Sequence, residues 1–573
     1  MRAPRGVLTL RRGGSGAGAA VAADFYSDEV RPATGEELYA VAMGALLLGF
    51  MALIVCYTRG YLLLYGDAVA HLGIARRILD SRNPGLVQLG GVWLPLPHLL
   101  MLPFVQKMDW WRNGLAGAWP SLICYVVSVL AVHGIARRLL ARRWALAATA
   151  FFATNPGLLY LSSTAMSEPL FIALTVSAVY LLMRTADAIM RESHAPASVW
   201  LMAAGLVLAG AIYTRYDGWV MAAAGWLMAA SWVFRSGRWR GVLGVWFAVF
   251  TAILVLAPLG WLAYNAHYFH DPLDFLRGPY SAKAVEARSA TPGAPPYPAL
   301  HNMPYGSIYY LCAALMDAAG RGAYPVLALA LGGLALALRR WPRNRMALLF
   351  LWIPLPFYAY SVAYGSVPIF VPPMTPHGYY HFRFGLELLP ALAISAAVGL
   401  AALESALVAT KVAWLAPRSK PAAKWMLPIS LLLVLANFVL QVIYRPPVLT
   451  EALLTSSARI GLEQGIARVL EELPPGAPIL MRESDYIGAL QDAGIPLRQT
   501  INESDYDSWH AALQAPAEHA AYVVSFEGDA VSKAVEEHPE ELQELTILCS
   551  TGQPCARVYQ SESYAAAGAA TGR

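Results

Sequence analysis

The sequence has few charged residues for its length. Only 14% of its 573 residues are Asp, Glu, Lys or Arg, against roughly 25% in an ordinary soluble domain. Acidic and basic residues nearly balance, leaving a formal net charge of +5. This charge argues against a nucleic-acid-binding protein, which carries a strongly basic face. The scarcity of charged residues indicates that much of the chain lies in an apolar environment, where charged side chains are unfavourable.

Cysteine is also scarce, with five residues in the chain. Cys56, Cys124 and Cys312 fall in or beside apolar stretches and are interpreted as small hydrophobes. Cys549 and Cys555 flank the segment Ser-Thr-Gly-Gln-Pro, a spacing that suits either a small disulfide loop in an oxidising compartment or two unpaired thiols. It does not match the spacing of a zinc site, and the sequence leaves metal binding open.

Apolar residues are abundant, at 57% of the chain with a mean hydropathy of +0.46. A membrane span needs about 20 consecutive apolar residues, and about eleven stretches meet or approach that length. Some contain no Asp, Glu, Lys or Arg, namely 38–58, 113–136, 144–167, 193–214, 241–263 and 425–444. Others are shorter or interrupted, namely 169–183, 218–234, 322–338, 346–364 and 388–403. The sequence therefore predicts a polytopic α-helical membrane protein.

Basic residues indicate the orientation of these spans, because loops rich in Lys and Arg stay in the cytoplasm. The basic loops lie within 137–143, 235–240, 339–345 and 411–424. They all fall on the side of the Arg-rich N-terminus. We expect a multi-pass protein of the inner (plasma) membrane with a cytoplasmic N-terminus and an extracytoplasmic C-terminus. The long connections 59–112, 264–321 and 365–384 then face the outside, and long loops often carry function.

Four segments are predicted along the chain. Residues 1–37 form a disordered cytoplasmic tail, and their Arg11-Arg12 pair is not followed by the apolar core of a secretion signal. Residues 38–445 form the membrane domain. Residues 446–563 form a small extracytoplasmic α/β domain, with strands at 477–481, 521–526, 545–548 and 556–559 and helices at 487–493 and 530–537. Residues 564–573 form a second disordered tail.

Asp67 and His71 begin the first long connection, in a segment with the polarity pattern of a helix lying on the membrane surface. They are four residues apart and share one helical face. Both are candidate catalytic residues, with Asp67 as a general base or a ligand of a divalent cation. The alternative for Asp67 is a helix N-cap, and the two roles are compatible. Arg76, on the same segment, is a candidate substrate-binding residue.

Further polar residues stand at the ends of apolar stretches on the same predicted side. Glu168 either complements a helix dipole or supplies a second catalytic carboxylate near Asp67. Arg215 and Asp217 either pair with each other or bind an anionic substrate through Arg215. His381 is either structural or a substrate-binding proton carrier. Arg383 either holds a lipid phosphate or extends to the interface.

These features together resemble the GT-C glycosyltransferases. The shared features are the number of spans, an acid at the start of a large first outer loop, an Arg before Leu-Glu-Leu-Leu-Pro ahead of a late span, and an outer C-terminal domain. Over roughly 38–445 the chain is most similar to the dolichyl-phosphate-mannose protein mannosyltransferases and the bacterial lipid A aminoarabinose transferase. The resemblance implies a hexosyltransferase that moves a sugar, with inversion, from a polyprenyl-phosphate donor to a lipid, glycan or protein acceptor. It matches Asp67 to the catalytic acid and Arg383 to the residue near the donor phosphate.

Two departures from the family pattern affect this interpretation. Many members carry two adjacent acids in the first loop, but Ala68 stands at the second position, which leaves Glu168 as the candidate. The Trp-Trp-Asp signature of oligosaccharyltransferases is absent, because Asp109 precedes Trp110 and Trp111. The alternative function is a transporter or flippase of a polyprenyl-linked lipid, which usually shows charges at mid-membrane and inverted repeats.

Overall fold

The computed structural model describes residues 32–289, 296–340, 345–409, 416–562 and Tyr564. Most of the predicted tails 1–37 and 564–573 therefore lies outside the described residues, although a helix already begins at Gly35. The helices are Gly35–Thr58, Gly66–Arg77, Leu96–Val105, Met108–Arg112, Leu115–Ala136, Arg142–Ala153, Pro156–Leu161, Glu168–Met190, His194–Ile212, Asp217–Arg235, Val242–Phe269, Asp274–Arg277, Ala282–Ser289, Met303–Ala319, Ala323–Arg340, Arg345–Leu351, Pro354–Tyr364, Leu389–Ala409, Ala416–Tyr444, Pro447–Glu471, Ile487–Ala493, Asp507–Gln514, Pro516–His519 and Ala530–Glu537. Short 3₁₀ segments are Leu86–Leu89, Gly320–Gly322, Phe382–Leu388 and Leu497–Gln499.

Nine helical segments in the described part of the chain are long and apolar enough to cross a membrane. They are Gly35–Thr58, Leu115–Ala136, Glu168–Met190, Ala195–Ile212, Val242–Phe269, Met303–Arg339, Arg345–Tyr364, Phe382–Ala409 and Pro421–Glu471. The polytopic helical prediction is confirmed, and two of the about eleven predicted stretches are not among these nine segments. The stretch 144–167 breaks because Asn155 caps a new helix that begins with Pro156. The stretch 218–234 forms the helix Asp217–Arg235, whose tryptophans and charged ends lower its hydropathy.

The segment Phe382–Ala409 lies at the centre of the helical domain. Of its most apolar part 78% is buried, compared with 17% for Gly35–Thr58. Small residues permit close packing around it, since a Cβ at Gly333 would meet the backbone oxygen of Ser395 and a Cβ at Gly385 would meet the backbone of Ala314. This packing fixes the start of the segment, where Arg383 stands.

The C-terminal region contains a five-stranded sheet in the order β2-β1-β3-β5-β4. The strands are β1 Ile479–Met481, β2 Thr500–Ile501, β3 Tyr522–Phe526, β4 Leu542–Leu548 and β5 Ala556–Ser561. β1 is parallel to β2 and β3, and β5 is antiparallel to β3 and β4. The predicted small α/β domain is confirmed. Strand β2 was not predicted, because a strand of two residues is too short to show the alternating pattern of apolar and polar residues. A disulfide joins Cys549 and Cys555 across the turn between β4 and β5.

This C-terminal domain packs on the first long connection. Nη1 of Arg498 lies 2.8 Å from Oδ1 of Asp80. Gly73 leaves room for Ile487, which a Cβ at that position would strike. Arg459 donates hydrogen bonds to backbone carbonyls just before the helix Gly66–Arg77, which is called the surface helix after its predicted position. The domain therefore holds the surface helix in place.

Glu483 is a buried carboxylate at this contact. Its Oε1 accepts hydrogen bonds from Thr500 and Asn502, while its Oε2 has no hydrogen-bond partner among the described residues. Arg77 lies 3.9 Å away. Burial raises the pKa of Glu483 to about 8, and Arg77 only partly opposes the shift. At neutral pH the folded protein therefore favours the protonated form of Glu483.

Glu483→Gln is expected to raise the melting temperature more at about pH 8 than at about pH 5. Between about pH 4.5 and about pH 8 the folded protein retains a proton on Glu483 that the unfolded chain has released, so wild-type stability falls as the pH rises through this window. Glutamine does not ionise, so the variant does not lose stability in this way as the pH rises. Thermal unfolding of purified protein across this range measures the gap, with the exposed Glu540→Gln as control. A gap that does not widen with pH contradicts the prediction.

Candidate functional site

Arg383 is the centre of a buried cluster of charged residues. Its Nη2 bonds Oδ2 of Asp67, and its Nε lies 3.1 Å from Oε1 of Glu168. Its Nη1 lies 3.7 Å from Oε1 of Glu451. The side chain of Arg383 is only 9% exposed, and its guanidinium lies over the ring of Tyr65. Arg383 is therefore held inside the protein and does not extend to the interface.

Arg215 forms a second centre that joins the first through Glu168. Its Nη1 lies 3.1 Å from the same Oε1 of Glu168. Its Nε lies 3.3 Å from Asp217 and 3.3 Å from Glu387, and its Nη2 donates to the hydroxyl of Tyr358 at 2.9 Å. The expected pair between Arg215 and Asp217 forms, but as part of a larger network.

Two further carboxylates of the cluster, Glu451 and Glu387, were not predicted from the sequence. Glu451 accepts hydrogen bonds from the backbone amides of His381 and Phe382 and from the hydroxyl of Tyr65. It thereby fixes the backbone that carries Arg383. Glu387 stands inside the Leu-Glu-Leu-Leu-Pro run, and an acid within an apolar stretch is a signal that could have identified it. Glu451 lies in the helix Pro447–Glu471, beyond the predicted membrane domain.

Asp67 differs from the other carboxylates in its exposure. Its side chain is 41% exposed, whereas those of Glu168, Asp217, Glu387 and Glu451 are between 1% and 3% exposed. The surface helix begins at Gly66, its N-cap residue is Tyr65, and no side chain caps it. Asp67 therefore points its carboxylate at Arg383 rather than capping the helix. Among the clustered acids it is the one that a substrate can reach.

The remaining predicted residues lie at three different places. His71 contacts His98 beside the cluster, at 2.9 Å between Nδ1 and Nε2. His381 lies next to Arg383, and its Nδ1 is 2.9 Å from a backbone carbonyl. Burial, with the nearby arginines, lowers the pKa of both His71 and His381 to about 3. Arg76 lies outside the network, because it pairs with Asp80 at 2.6 Å.

The cluster contains two cations, Arg215 and Arg383, and a larger number of carboxylates. In the described part of the chain no group of three or more His, Cys, Asp or Glu is arranged to hold a metal ion. The two arginines are the groups of this cluster that suit an anion. Buried guanidinium groups suit phosphate because their planar donors bind it in a bidentate manner.

Comparisons with known proteins agree with the resemblance noted in the sequence. A family model described as dolichyl-phosphate-mannose-protein mannosyltransferase matches residues 110–261. ArnT from Cupriavidus metallidurans bound to undecaprenyl phosphate is similar in structure, with a TM-score of 0.53 and 14% identity over 92% of this chain and 98% of that chain. Its apo state has a TM-score of 0.49 and 15% identity over 90% of this chain and 98% of that chain. No curated protein matches the chain in sequence.

A third structure, an oligosaccharyltransferase from Archaeoglobus fulgidus in complex with Zn and sulfate, has a TM-score of 0.47 and 12% identity. It covers 92% of this chain and 73% of that chain. The ArnT match confirms the GT-C membrane fold predicted from the sequence, and the family model supports the likeness to mannosyltransferases.

Proposed function

We propose that this chain, which has the GT-C fold, is a membrane glycosyltransferase that uses a polyprenyl-phosphate sugar. The contact between Arg383 and Asp67 carries the proposal. It joins a buried cation suited to phosphate with the most exposed carboxylate of the cluster. The related ArnT structure was solved with undecaprenyl phosphate bound. These are the groups that transfer from a lipid phosphate to an acceptor hydroxyl requires.

The donor phosphate and Asp67 compete for Arg383 in the proposed mechanism. A phosphate oxygen replaces Oδ2 of Asp67 on the guanidinium, because the two free oxygens of the phosphodiester accept bidentate hydrogen bonds from its planar donors. Asp67 is then released towards solvent as an unpaired carboxylate. Donor binding thus prepares the general base, which limits its action to the state in which a donor is present.

Transfer then proceeds by a single displacement. Asp67 takes the proton of the acceptor hydroxyl while the hydroxyl oxygen forms a bond to the anomeric carbon. The bond from that carbon to the phosphate oxygen breaks, and polyprenyl phosphate leaves with the electron pair. Arg383 stabilises the charge that develops on the leaving oxygen. One displacement inverts the configuration of the sugar.

The other charged residues position Arg383. Glu168 bonds both arginines and is 1% exposed, so we assign it to orientation rather than to a second proton transfer. Asp217 and Glu387 hold Arg215, which in turn holds Glu168. Glu451 fixes the backbone before Arg383. Arg76 is not included in the proposed site, because Asp80 satisfies its charge.

The domain bounds and the membrane orientation that the sequence predicts are also part of the proposal. The membrane domain is 38–445, the extracytoplasmic domain is 446–563, and the protein resides in the inner (plasma) membrane with its N-terminus in the cytoplasm. The positions of the basic loops support this orientation. The acceptor is a lipid, glycan or protein hydroxyl on the outer face. Glu451 reaches the site from the segment after 445, so both parts of the chain are needed.

The transporter or flippase remains the alternative function. Transporters place substrate sites near the bilayer midplane between repeats. Here Arg383 contacts Asp67 of the surface helix and lies at the start of the segment Phe382–Ala409. This location favours chemistry at the membrane surface over passage through the bilayer.

Purified protein in proteoliposomes is expected to release undecaprenyl phosphate from undecaprenyl-phosphate hexoses when an envelope extract supplies acceptors. The released lipid and the labelled product are measured by chromatography and mass spectrometry, and empty liposomes are the control. Movement of the sugar-linked lipid between leaflets without release of undecaprenyl phosphate would contradict the transferase and support the flippase.

A further inference from the structure

The side chain of Tyr65 joins the segment before Asp67 to the helix Pro447–Glu471. Its hydroxyl lies 2.8 Å from Oε2 of Glu451 and 2.8 Å from the backbone oxygen of Val448. These two residues stand one turn apart on the same helix, so the hydroxyl is bound to that turn whichever oxygen takes its proton. Tyr65 is only 4% exposed, which leaves little access for water to compete for these bonds.

The backbone of Tyr65 begins the surface helix. Its carbonyl accepts hydrogen bonds from the amides of Ala68 and Val69, at 3.1 and 3.3 Å. Asp67 stands between Tyr65 and these two residues, in the first turn of the helix. A side chain that holds Tyr65 in place therefore also holds the backbone that carries the carboxylate of Asp67.

Glu451 binds Tyr65 and the backbone before Arg383 with the same carboxylate. Its Oε1 lies 2.6 Å from the backbone nitrogen of His381, and its Oε2 lies 3.1 Å from that of Phe382. Glu451 is 2% exposed. This one carboxylate thus connects the segment of the proposed base to the segment of the phosphate-binding cation, in addition to the direct contact between the two side chains.

The proposed mechanism breaks that direct contact. The donor phosphate takes the place of Asp67 on the guanidinium of Arg383, yet Asp67 has to stay beside the reacting hydroxyl for the proton to move. The hydrogen bond between Tyr65 and Glu451 does not involve the guanidinium. It therefore remains when the phosphate binds, and it still limits how far Asp67 can move.

We infer that Tyr65 is a positioning residue that keeps Asp67 in place once the donor has displaced it from Arg383. The inference rests on the proposed function and adds a residue to it. A displacement of about 1 Å in a reacting group can cost about a hundredfold in rate, so this bond affects kcat. Affinity for the lipid does not depend on it, because the phosphate binds Arg383.

Tyr65→Phe is expected to lower kcat for sugar transfer by about tenfold or more. KM for the donor and affinity for undecaprenyl phosphate should not change. Phenylalanine keeps the ring beneath the guanidinium of Arg383 and removes only the hydroxyl. Transfer is measured in proteoliposomes with undecaprenyl-phosphate hexoses and an envelope extract, and affinity is measured by titration with undecaprenyl phosphate.

Tyr160→Phe is the matched control. Tyr160 is also buried, and its ring centroid lies 6.2 Å from that of Tyr65. Its hydroxyl forms no hydrogen bond with any described residue. The control should therefore keep the kcat of wild type, and a loss equal to that of Tyr65→Phe would overturn the inference by indicating a general effect of packing.

The Asp67→Asn protein provides a test that a merely structural role would fail. If Tyr65 acts through Asp67, adding Tyr65→Phe to this protein should not lower the single-turnover rate further, because the two effects are not independent. A second loss by the same factor would overturn the inference. So would an unchanged kcat in Tyr65→Phe, or a loss of lipid affinity equal to the loss of kcat.

The same assay separates this inference from the proposed function. Release of undecaprenyl phosphate by wild type together with an unchanged kcat in Tyr65→Phe contradicts the positioning role alone. Failure of wild type to release undecaprenyl phosphate from any of the hexose-linked lipids would overturn the proposed function and the positioning role together.

Discussion

Asp67→Asn is expected to lower the rate of sugar transfer by about 10²–10⁴-fold, the usual contribution of a general base. Asparagine has a similar shape but cannot accept the proton of the acceptor hydroxyl. Binding of undecaprenyl phosphate should stay the same or become tighter, because the amide competes less well than a carboxylate for Arg383. Single-turnover transfer and lipid titration on the same preparation measure the two effects separately.

Asp109→Asn is a suitable control for this substitution. Asp109 lies in the same long connection but is exposed, so its change should leave both measurements at the wild-type value. Normal transfer by a folded Asp67→Asn protein would exclude Asp67 as the base. A loss of lipid binding equal to the loss of transfer would instead show that Asp67 only orients Arg383.

Arg383→Gln is expected to weaken the binding of undecaprenyl phosphate by about a hundredfold or more, because buried charged pairs of this kind contribute several kcal/mol. The same change removes the cation shared by Asp67, Glu168 and Glu451. Loss of one partner from a buried ion pair costs about 3–5 kcal/mol of stability. Lipid titration and thermal unfolding should therefore both show large effects.

Arg383→Lys keeps the test informative if the glutamine variant does not fold. Lysine preserves the charge for the three carboxylates but lacks the planar bidentate donors. It should fold and bind the lipid more weakly than wild type. The control is Arg321→Gln, whose guanidinium is exposed and lies over Tyr444. Wild-type affinity in Arg383→Lys, or an equal loss in Arg321→Gln, would contradict a phosphate site at Arg383.

Much of the fold was predictable because its signals are local. Runs of apolar residues identified the helical membrane domain, and alternating patterns identified most strands of the C-terminal sheet. The differences also have local causes. Asn155 and Pro156 interrupt an apolar run without adding charge, so hydropathy alone does not show that two helices form there. The strand Thr500–Ile501 is too short to show a period.

The candidate site was predictable only as a set of separate residues. Arg383 stands 316 positions from Asp67 and 215 from Glu168, and no pattern within one segment links them. Arg76 illustrates the reverse case. Its partner Asp80 lies four residues away, a spacing at which opposite charges pair on a helix. This local spacing by itself argues against Arg76 as a substrate contact.

The sequence by itself determined that this protein is a helical membrane protein with a small α/β domain, because hydropathy and residue periodicity act over one helix or strand. Only the tertiary structure decided which charges share a site. Asp67, Glu168 and Glu451 meet at Arg383 because the packing of the segment Phe382–Ala409 brings distant helix ends together. It also decided that Asp67 alone is half-exposed while the other acids are buried, and this difference in exposure separates the proposed base from the groups that position the arginine.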